Sequence, residues 1–250
     1  MLLIKGNGTD GSSYDGVAMK YEGVPFTAED FHGHGTGNDS CPNADMEIHD
    51  SDEPVQARNC RLGGLRDLHQ GKEYVRAKQA DFLNRLIDIG VAGFRSDASQ
   101  HQWPADLTAI INRLHDLNTK YFPIGSKSFW YHEYIQHGPR IKAEEYLGIG
   151  RVIDFHYYES LAYVLRKLTN QKLKYLKNFG EGWGFLPSGK SLVMVDSHDL
   201  QRGHTGDLSI NINYFEPRLL KMATAFMLAC PYSITRVMSS YYWPRNIQVF

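Results

Sequence analysis

From residue 72 onward the chain alternates helix-period segments with short β-like runs, and this alternation most restricts what it can fold into. Val75, Phe82, Leu83, Leu86 and Ile87 recur at helical spacing, and Gly90 is placed to end that helix. Residues 91–97 form a β-like run. Pro104 suits the first turn of a second helix carrying Leu107, Ile110, Ile111, Leu114 and Leu117. The pattern continues with a strand over 128–135, a short helix over 143–147, a strand over 151–156 and helices over 161–168 and 172–178. A strand over 191–196, a helix over 218–228 and a strand over 232–238 close the series. Strands separated by helices call for parallel βα units, in an open doubly wound sheet or a barrel. About five strands are legible where a (β/α)8 barrel needs eight. The expectation is an α/β fold: a partial TIM barrel, entered partway round at about strand four.

Residues 1–70 have a different texture. They are rich in Gly, Asp, Asn, Ser and His, lack periodicity and read as loops with a few short strands. The expected organisation is a loop-rich subdomain over 1–70 and a partial barrel over 71–250. The sequence shows no internal repeat and no coiled-coil heptad.

Composition narrows the partners. Lys plus Arg is 27 and Asp plus Glu 28, a net charge of −1, so no strong field favours nucleic acid. No apolar stretch is long enough to span a membrane. A monomer with a neutral ligand is expected. The 15 Tyr, 12 Phe and 4 Trp could stack on sugar rings, although aromatics more often fill cores. Cys41 and Cys60 flank an irregular polar stretch that a bridge could close. Cys230 lies in an apolar run and reads as a buried free thiol. Met1-Leu2-Leu3-Ile4 is too short for a signal-peptide core.

Three strands are expected to end in acids: Asp97 after Phe94-Arg95-Ser96, Glu133 after Tyr131-His132, and Asp199 after Val195-Asp196-Ser197-His198. In parallel α/β folds the active site lies at the C-terminal strand ends. A lone strand-end Asp is more often a cap or turn residue. Three of them on one face suit glycoside hydrolysis, with a nucleophile and an acid/base roughly 5 Å apart in a retaining enzyme. Arg95, two residues before Asp97, points to the same side of its strand and could be its ion-pair partner.

The runs GFRSDASQH at 93–101 and VDSHDLQRGH at 195–204 resemble the acid-bearing segments of the animal-type, calcium- and chloride-dependent α-amylases of glycoside hydrolase family 13. YVRAKQADFLNRLIDIGVAGFR, LKNFGEGWGFLPS and TRVMSSY are also close to that family's text, and the resemblance runs from about residue 11 to residue 243. It implies Asp97 as nucleophile, Glu133 in FWYHEYI as general acid/base with a pKa raised by nearby negative charge, and Asp199 as the acid that holds sugar hydroxyls. His101, His198 and His204, with Arg95, match substrate-contacting positions. Calcium would be held by the main-chain carbonyls of Arg58 and His101 and the carboxylate of Asp67. Chloride would be held by Arg95, Arg236 and Ser197, where the family has an asparagine. Cys41 and Cys60 match the family's bridged pair, which implies a secreted full-length protein.

The departures are specific. The family's DxxxNH segment, which holds a calcium-binding Asn, has no counterpart here, nor do the first three barrel strands or the following β-sandwich. Gln100 replaces a substrate-contacting lysine, Ser96 an isoleucine inside the barrel and Ser51 a cleft tyrosine. The glycine loop after His204 becomes Thr205-Gly206-Asp207. The expectation is therefore a fragment or incomplete gene model of an endo-acting α-1,4-glucan hydrolase. The alternatives are a catalytically silent α-glucan-binding remnant and a family-13 relative of other specificity.

Overall fold

The computed structural model describes residues 24–203 and 209–239, together with one antiparallel strand pair, β1 (Tyr14–Asp15) and β2 (Lys20–Tyr21). The chain divides into two compact units, Met1–Gly150 and Arg151–Phe250.

The first unit opens with loop-rich chain, as its composition demands. One short helix, α1 (Pro54–Asn59), begins where Pro54 occupies the first turn and the Glu53 side chain accepts from the Gln56 amide at 2.7 Å. Cys41 and Cys60 are disulfide-bonded, closing a loop of sequence separation 19. The 17-residue helix α2 (Glu73–Ile89) then carries Val75, Ala80 and Ile87 into the core. Gly90 ends it at φ 123°, its N–H donating to the Leu86 and Ile87 carbonyls. A side chain there would be strained by that backbone and would strike the Tyr121 ring.

Strand β3 (Gly93–Ser96) pairs in parallel with β4 (Phe129–His132), with Gly93 opposite Phe129 and Ser96 opposite His132. Helix α3 (Pro104–Ile111) lies between them in sequence. Pro104 starts it as expected, but it stops six residues short of Leu117. Asn84 of α2 takes over the backbone groups there, donating to the Arg113 carbonyl (3.1 Å) and accepting from the His115 amide (2.7 Å). Phe82 departs from the expected stripe, being 58% exposed. With Leu83 and Leu86 it lines a cavity of about 740 Å³ whose far wall includes Phe94, Trp130 and Ile110.

In the second unit β5 (Arg151–Ile153), β6 (Ser191–Met194) and β7 (Ile234–Arg236) pair in parallel. β5 is shorter than expected, and helix α4 (Phe155–Leu165) starts six residues earlier than its apolar pattern indicated. The cause is Asp154. It caps α4 by accepting from the His156 amide at 3.1 Å, and its other oxygen accepts from the Leu186 amide at 2.8 Å. The expected helices at 143–147 and 172–178 form as 3-10 segments, Ala143–Glu145 and Leu173–Asn178. Helix α6 (Pro217–Ala229) lays Ala223 and Met227 into a core of Tyr157, Leu161, Val193, Phe179 and Tyr232. Cys230 is free as expected, but it is half-buried rather than enclosed.

Parallel strands interleaved with helices in both units give the expected class, a partial (β/α)8 barrel. No helix among the described residues is long and apolar enough to cross a membrane.

Candidate active site

Register places the first two acids. Because Ser96 faces His132 across the β3–β4 ladder, Asp97 and Glu133 leave their strands at the same level. The ladder extends one step past both strands: Glu133 N donates to Ser96 O (2.9 Å) and Ser99 N to Glu133 O (2.8 Å). Gly93 permits this approach, since a Cβ there would stand 2.7 Å from the Phe129 carbonyl oxygen. Immediately after Asp97 the backbone turns through Ala98 at φ 45°, ψ 46°, a left-handed conformation that L-residues rarely hold. That turn aims the Ala98 N–H at Glu133 Oε2, 3.0 Å away.

Arg95 forks between the two acids. One arm bonds Asp97, and Nη2 stands 2.6 Å from Glu133 Oε1. The planar guanidinium suits this two-carboxylate grip. Asp97 is half-exposed while Glu133 is buried. The Glu133 carboxyl is pushed up from its ordinary value, chiefly by burial. The Ala98 N–H and Arg95 pull it down, and Asp97 raises it further through its charge and a hydrogen bond between the carboxyls. Negative charge therefore contributes as the sequence implied, but burial leads.

Residues that the sequence reading passed over hold this pair in place. Gln102 is buried; its Nε2 donates to the Asp97 carbonyl at 3.1 Å and its Oε1 accepts from Gln70 Nε2 at 3.0 Å. His132 is enclosed, its Nδ1 3.1 Å from Ser99 Oγ, which itself donates to the Ser96 carbonyl. Burial lowers the His132 pKa to about 4, so the ring is neutral near pH 7. The sequence carries no periodic signal for Gln102, and His132 was readable only as the residue before an acid.

The third acid differs from its expectation. β6 ends at Met194, and Asp199 lies in the first turn of a short helix, α5 (His198–Arg202), not at a strand end. Ser197 caps that helix by accepting from the Leu200 amide at 3.2 Å. Asp196 accepts from the Ser197 amide and from Gln201 Nε2, each at 2.9 Å, and His198 Nε2 lies 3.3 Å from Asp199 Oδ2. Asp97, Glu133, Arg95, His101, Arg58 and Asp67 thus belong to the first unit, and Ser197, His198, Asp199 and Arg236 to the second. His204 lies outside the described residues.

His101 is buried, ends the 3-10 turn Ser99–His101 and donates from Nδ1 to the Ala57 carbonyl of α1 at 2.8 Å. Arg58, in the last turn of α1, stacks on Trp103 at 4.8 Å and bonds Glu145 at 2.8 Å. Helix C-termini leave carbonyl oxygens without intrahelical partners, and the His101–Ala57 bond ties the end of α1 to the 3-10 turn. Elsewhere in the same unit Asp67 is a buried carboxyl, its pKa raised by desolvation, met by His32 Nδ1 at 2.8 Å. An oxygen-only donor set of this kind fits a hard cation. Among the described residues no group of three or more His, Cys, Asp or Glu side chains could hold a metal, so carbonyls are indispensable to any such site. For an anion, Arg95 of the first unit offers a buried Nε–H without a partner. That donor chemistry fits chloride.

No protein-family model matches the chain. An α-amylase of Dermatophagoides pteronyssinus is 59% identical over 244 residues, 97% of this chain and 48% of that protein. Human pancreatic α-amylase is 48% identical over 241 residues, 96% of this chain and 46% of that protein. This chain is homologous to the animal α-amylases. In three dimensions it matches a variant of α-amylase I from Eisenia fetida in complex with maltohexaose, with a TM-score of 0.89 and 49% identity. That match covers 97% of this chain and 49% of the other. The chain spans about half the length of the curated relatives it matches.

Proposed function

We propose that this chain carries the nucleophile and the general acid/base of a retaining, endo-acting hydrolase of α-1,4-glucosidic bonds in starch, glycogen and maltooligosaccharides. The observation that carries the reading is the Arg95 fork, which sets a half-exposed Asp97 beside a buried Glu133 of raised pKa at the ends of paired strands. Two carboxyls in unlike environments divide the labour of glycoside cleavage.

The accessible Asp97 carboxylate oxygen attacks the anomeric carbon as the bond to the leaving oxygen breaks. Glu133 gives its proton to that oxygen, so the departing sugar leaves as a neutral alcohol. Glu133, now a carboxylate, then takes a proton from water as the water attacks the glycosyl–Asp97 ester, which regenerates Asp97 and releases the sugar with its configuration retained. Asp199 holds sugar hydroxyls, and His101, His198 and His204, with Arg95, contact the substrate.

Calcium would be held by the Arg58 and His101 carbonyls and Asp67, where a bound cation offsets the buried carboxylate and ties α1 to the turn after Asp97. Chloride would be held by Arg95, Ser197 and Arg236, and as a negative charge it would favour the protonated acid. Residues 1–70 serve as the calcium-binding subdomain and 71–250 as the catalytic one, in a monomeric protein that acts outside the cell, consistent with the Cys41–Cys60 bridge.

Release of reducing ends from starch tests the reading. The chain should release them, and Asp97→Asn should abolish release. Glucan binding with no release from the unsubstituted chain would instead favour a silent binding remnant.

A further inference from the structure

One peptide group stands between Gln102 and Glu133. The Asp97–Ala98 unit is planar and trans, so its C=O and N–H point in opposite directions. Its N–H donates to Glu133 Oε2 at 3.0 Å. Its C=O accepts from Gln102 Nε2 at 3.1 Å. Whatever holds the carbonyl end therefore aims the N–H end, and Gln102 holds it from a position only 1% exposed.

The turn needs such a hold. Ala98 sits at φ 45°, ψ 46°, in the left-handed region that a residue with a Cβ disfavours. Rotating the Asp97–Ala98 peptide alone would carry that φ out of the left-handed region and swing the N–H away from Glu133. The bond from Gln102 opposes this rotation. The Gln102 amide can stand only one way round: a carbonyl accepts and never donates, so the NH2 must face Asp97, and Oε1 is left to accept from the buried Gln70 at 3.0 Å. The Gln102 main chain is held separately, its N–H donating to the Ser99 carbonyl and its C=O accepting from the Tyr146 hydroxyl, each at 3.0 Å. The side-chain amide thus has no part in anchoring its own backbone.

Within the first unit, the charged groups facing the Glu133 carboxyl are Arg95 and Asp97, from β3 and the turn after it. Among the influences that lower the Glu133 pKa against the rise from burial, the Ala98 N–H is the largest. Resting on the function proposed above, we infer that Gln102, oriented by Gln70, is a positioning residue for Glu133 and acts through the Asp97–Ala98 peptide. With the hold in place, the Ala98 N–H stabilises the carboxylate that remains once Glu133 has given its proton to the leaving oxygen.

The test is titration of the Glu133 carboxyl by ¹³C NMR in the full chain, labelled at the glutamate side-chain carboxyl carbon, in chloride-free buffer. Glu133→Gln identifies the signal. Gln102→Met keeps the length of the side chain and removes the amide. It should raise the Glu133 pKa by about one pH unit, the scale of losing one hydrogen bond to a charged group. Gln70→Leu should move it the same way by less, and the double variant no further than Gln102→Met, because both changes act through one bond. An unmoved titration in Gln102→Met overturns the inference, since a mere packing role would lower the urea midpoint and leave the titration in place. Should Gln102→Met fail to fold, an unmoved titration in Gln70→Leu overturns it instead. The titration needs no substrate. A shift in the expected direction in a chain that releases no reducing ends from starch overturns the proposed function and leaves the hold on Glu133 standing. In an active chain the basic limb of the pH–rate profile should move up with the titration, and a limb that stays put overturns Glu133 as the acid.

Discussion

The buried His132 makes the acid-bearing half of the site sensitive to pH in a way that its geometry allows to be worked out. Its ring is enclosed at the end of β4, and burial lowers its pKa from 6.5 to about 4. Between those values the unfolded chain binds a proton that the folded chain refuses. Unfolding is then favoured as pH falls, so the contribution of His132 is fully present above about 6.5 and is lost as pH falls through about 4. A gap of 6.5 − 4, about 2.5 pKa units, corresponds to roughly 3 kcal/mol, of which about 2.5 kcal/mol is lost by pH 4.5. His132→Asn keeps a polar atom near Ser99 Oγ and removes the titration. Urea unfolding at pH 7.5 and pH 4.5, followed by tryptophan fluorescence, measures the effect. The unsubstituted chain should lose about 2.5 kcal/mol more than His132→Asn between these pH values, since the other titrations are common to both. Equal losses would refute the argument that the enclosed imidazole stays neutral in the fold.

Opening the Cys41–Cys60 bridge with Cys41→Ser and Cys60→Ser should cost about 3 kcal/mol from loop-closure entropy, read as a fall in the urea midpoint of the first unit. Gly93→Ala should cost about 1–3 kcal/mol, because its Cβ meets the Phe129 carbonyl in the β3–β4 ladder; an unchanged midpoint would show that the ladder yields freely. Glu133→Gln should lower turnover about 10²–10⁴-fold as general acid/base catalysis is lost. The rate should fall as pH rises through the raised Glu133 pKa. In chloride-free buffer Arg95→Gln, which removes a group that pulls that pKa down, should move this basic limb to higher pH, and a shift the other way would contradict the lowering effect of the Arg95 charge.

Much of this was legible in the sequence. The alternation of helical and β-like text gave the order of βα units, Gly90 and Pro104 marked helix boundaries correctly, and the segments around Asp97 and Glu133 lie at the ends of β3 and β4. What escaped the reading depends on tertiary contacts. Asp154 looks like a strand-end residue until its two oxygens are seen to cap α4 and hold Leu186. Asp199 looked like a third strand-end acid, but the Ser197 cap draws it into α5. Phe82 fits the apolar stripe of α2 and yet lines an open cavity, which periodicity alone cannot reveal. Asp52 accepts from the Arg140 amide, nearly ninety positions away, and Gly138, where a Cβ would meet the Asp52 carboxylate, marks that contact in the sequence.

The most direct test of the central claim is covalent trapping. A slowly hydrolysed 5-fluoro-α-glucosyl fluoride should leave a glycosyl adduct on the peptide that carries Asp97, detected by mass spectrometry, and Asp97→Asn should abolish it. An adduct on the Glu133 or Asp199 peptide instead, or hydrolysis that first releases the β-configured sugar, would contradict the assignment of Asp97 as nucleophile.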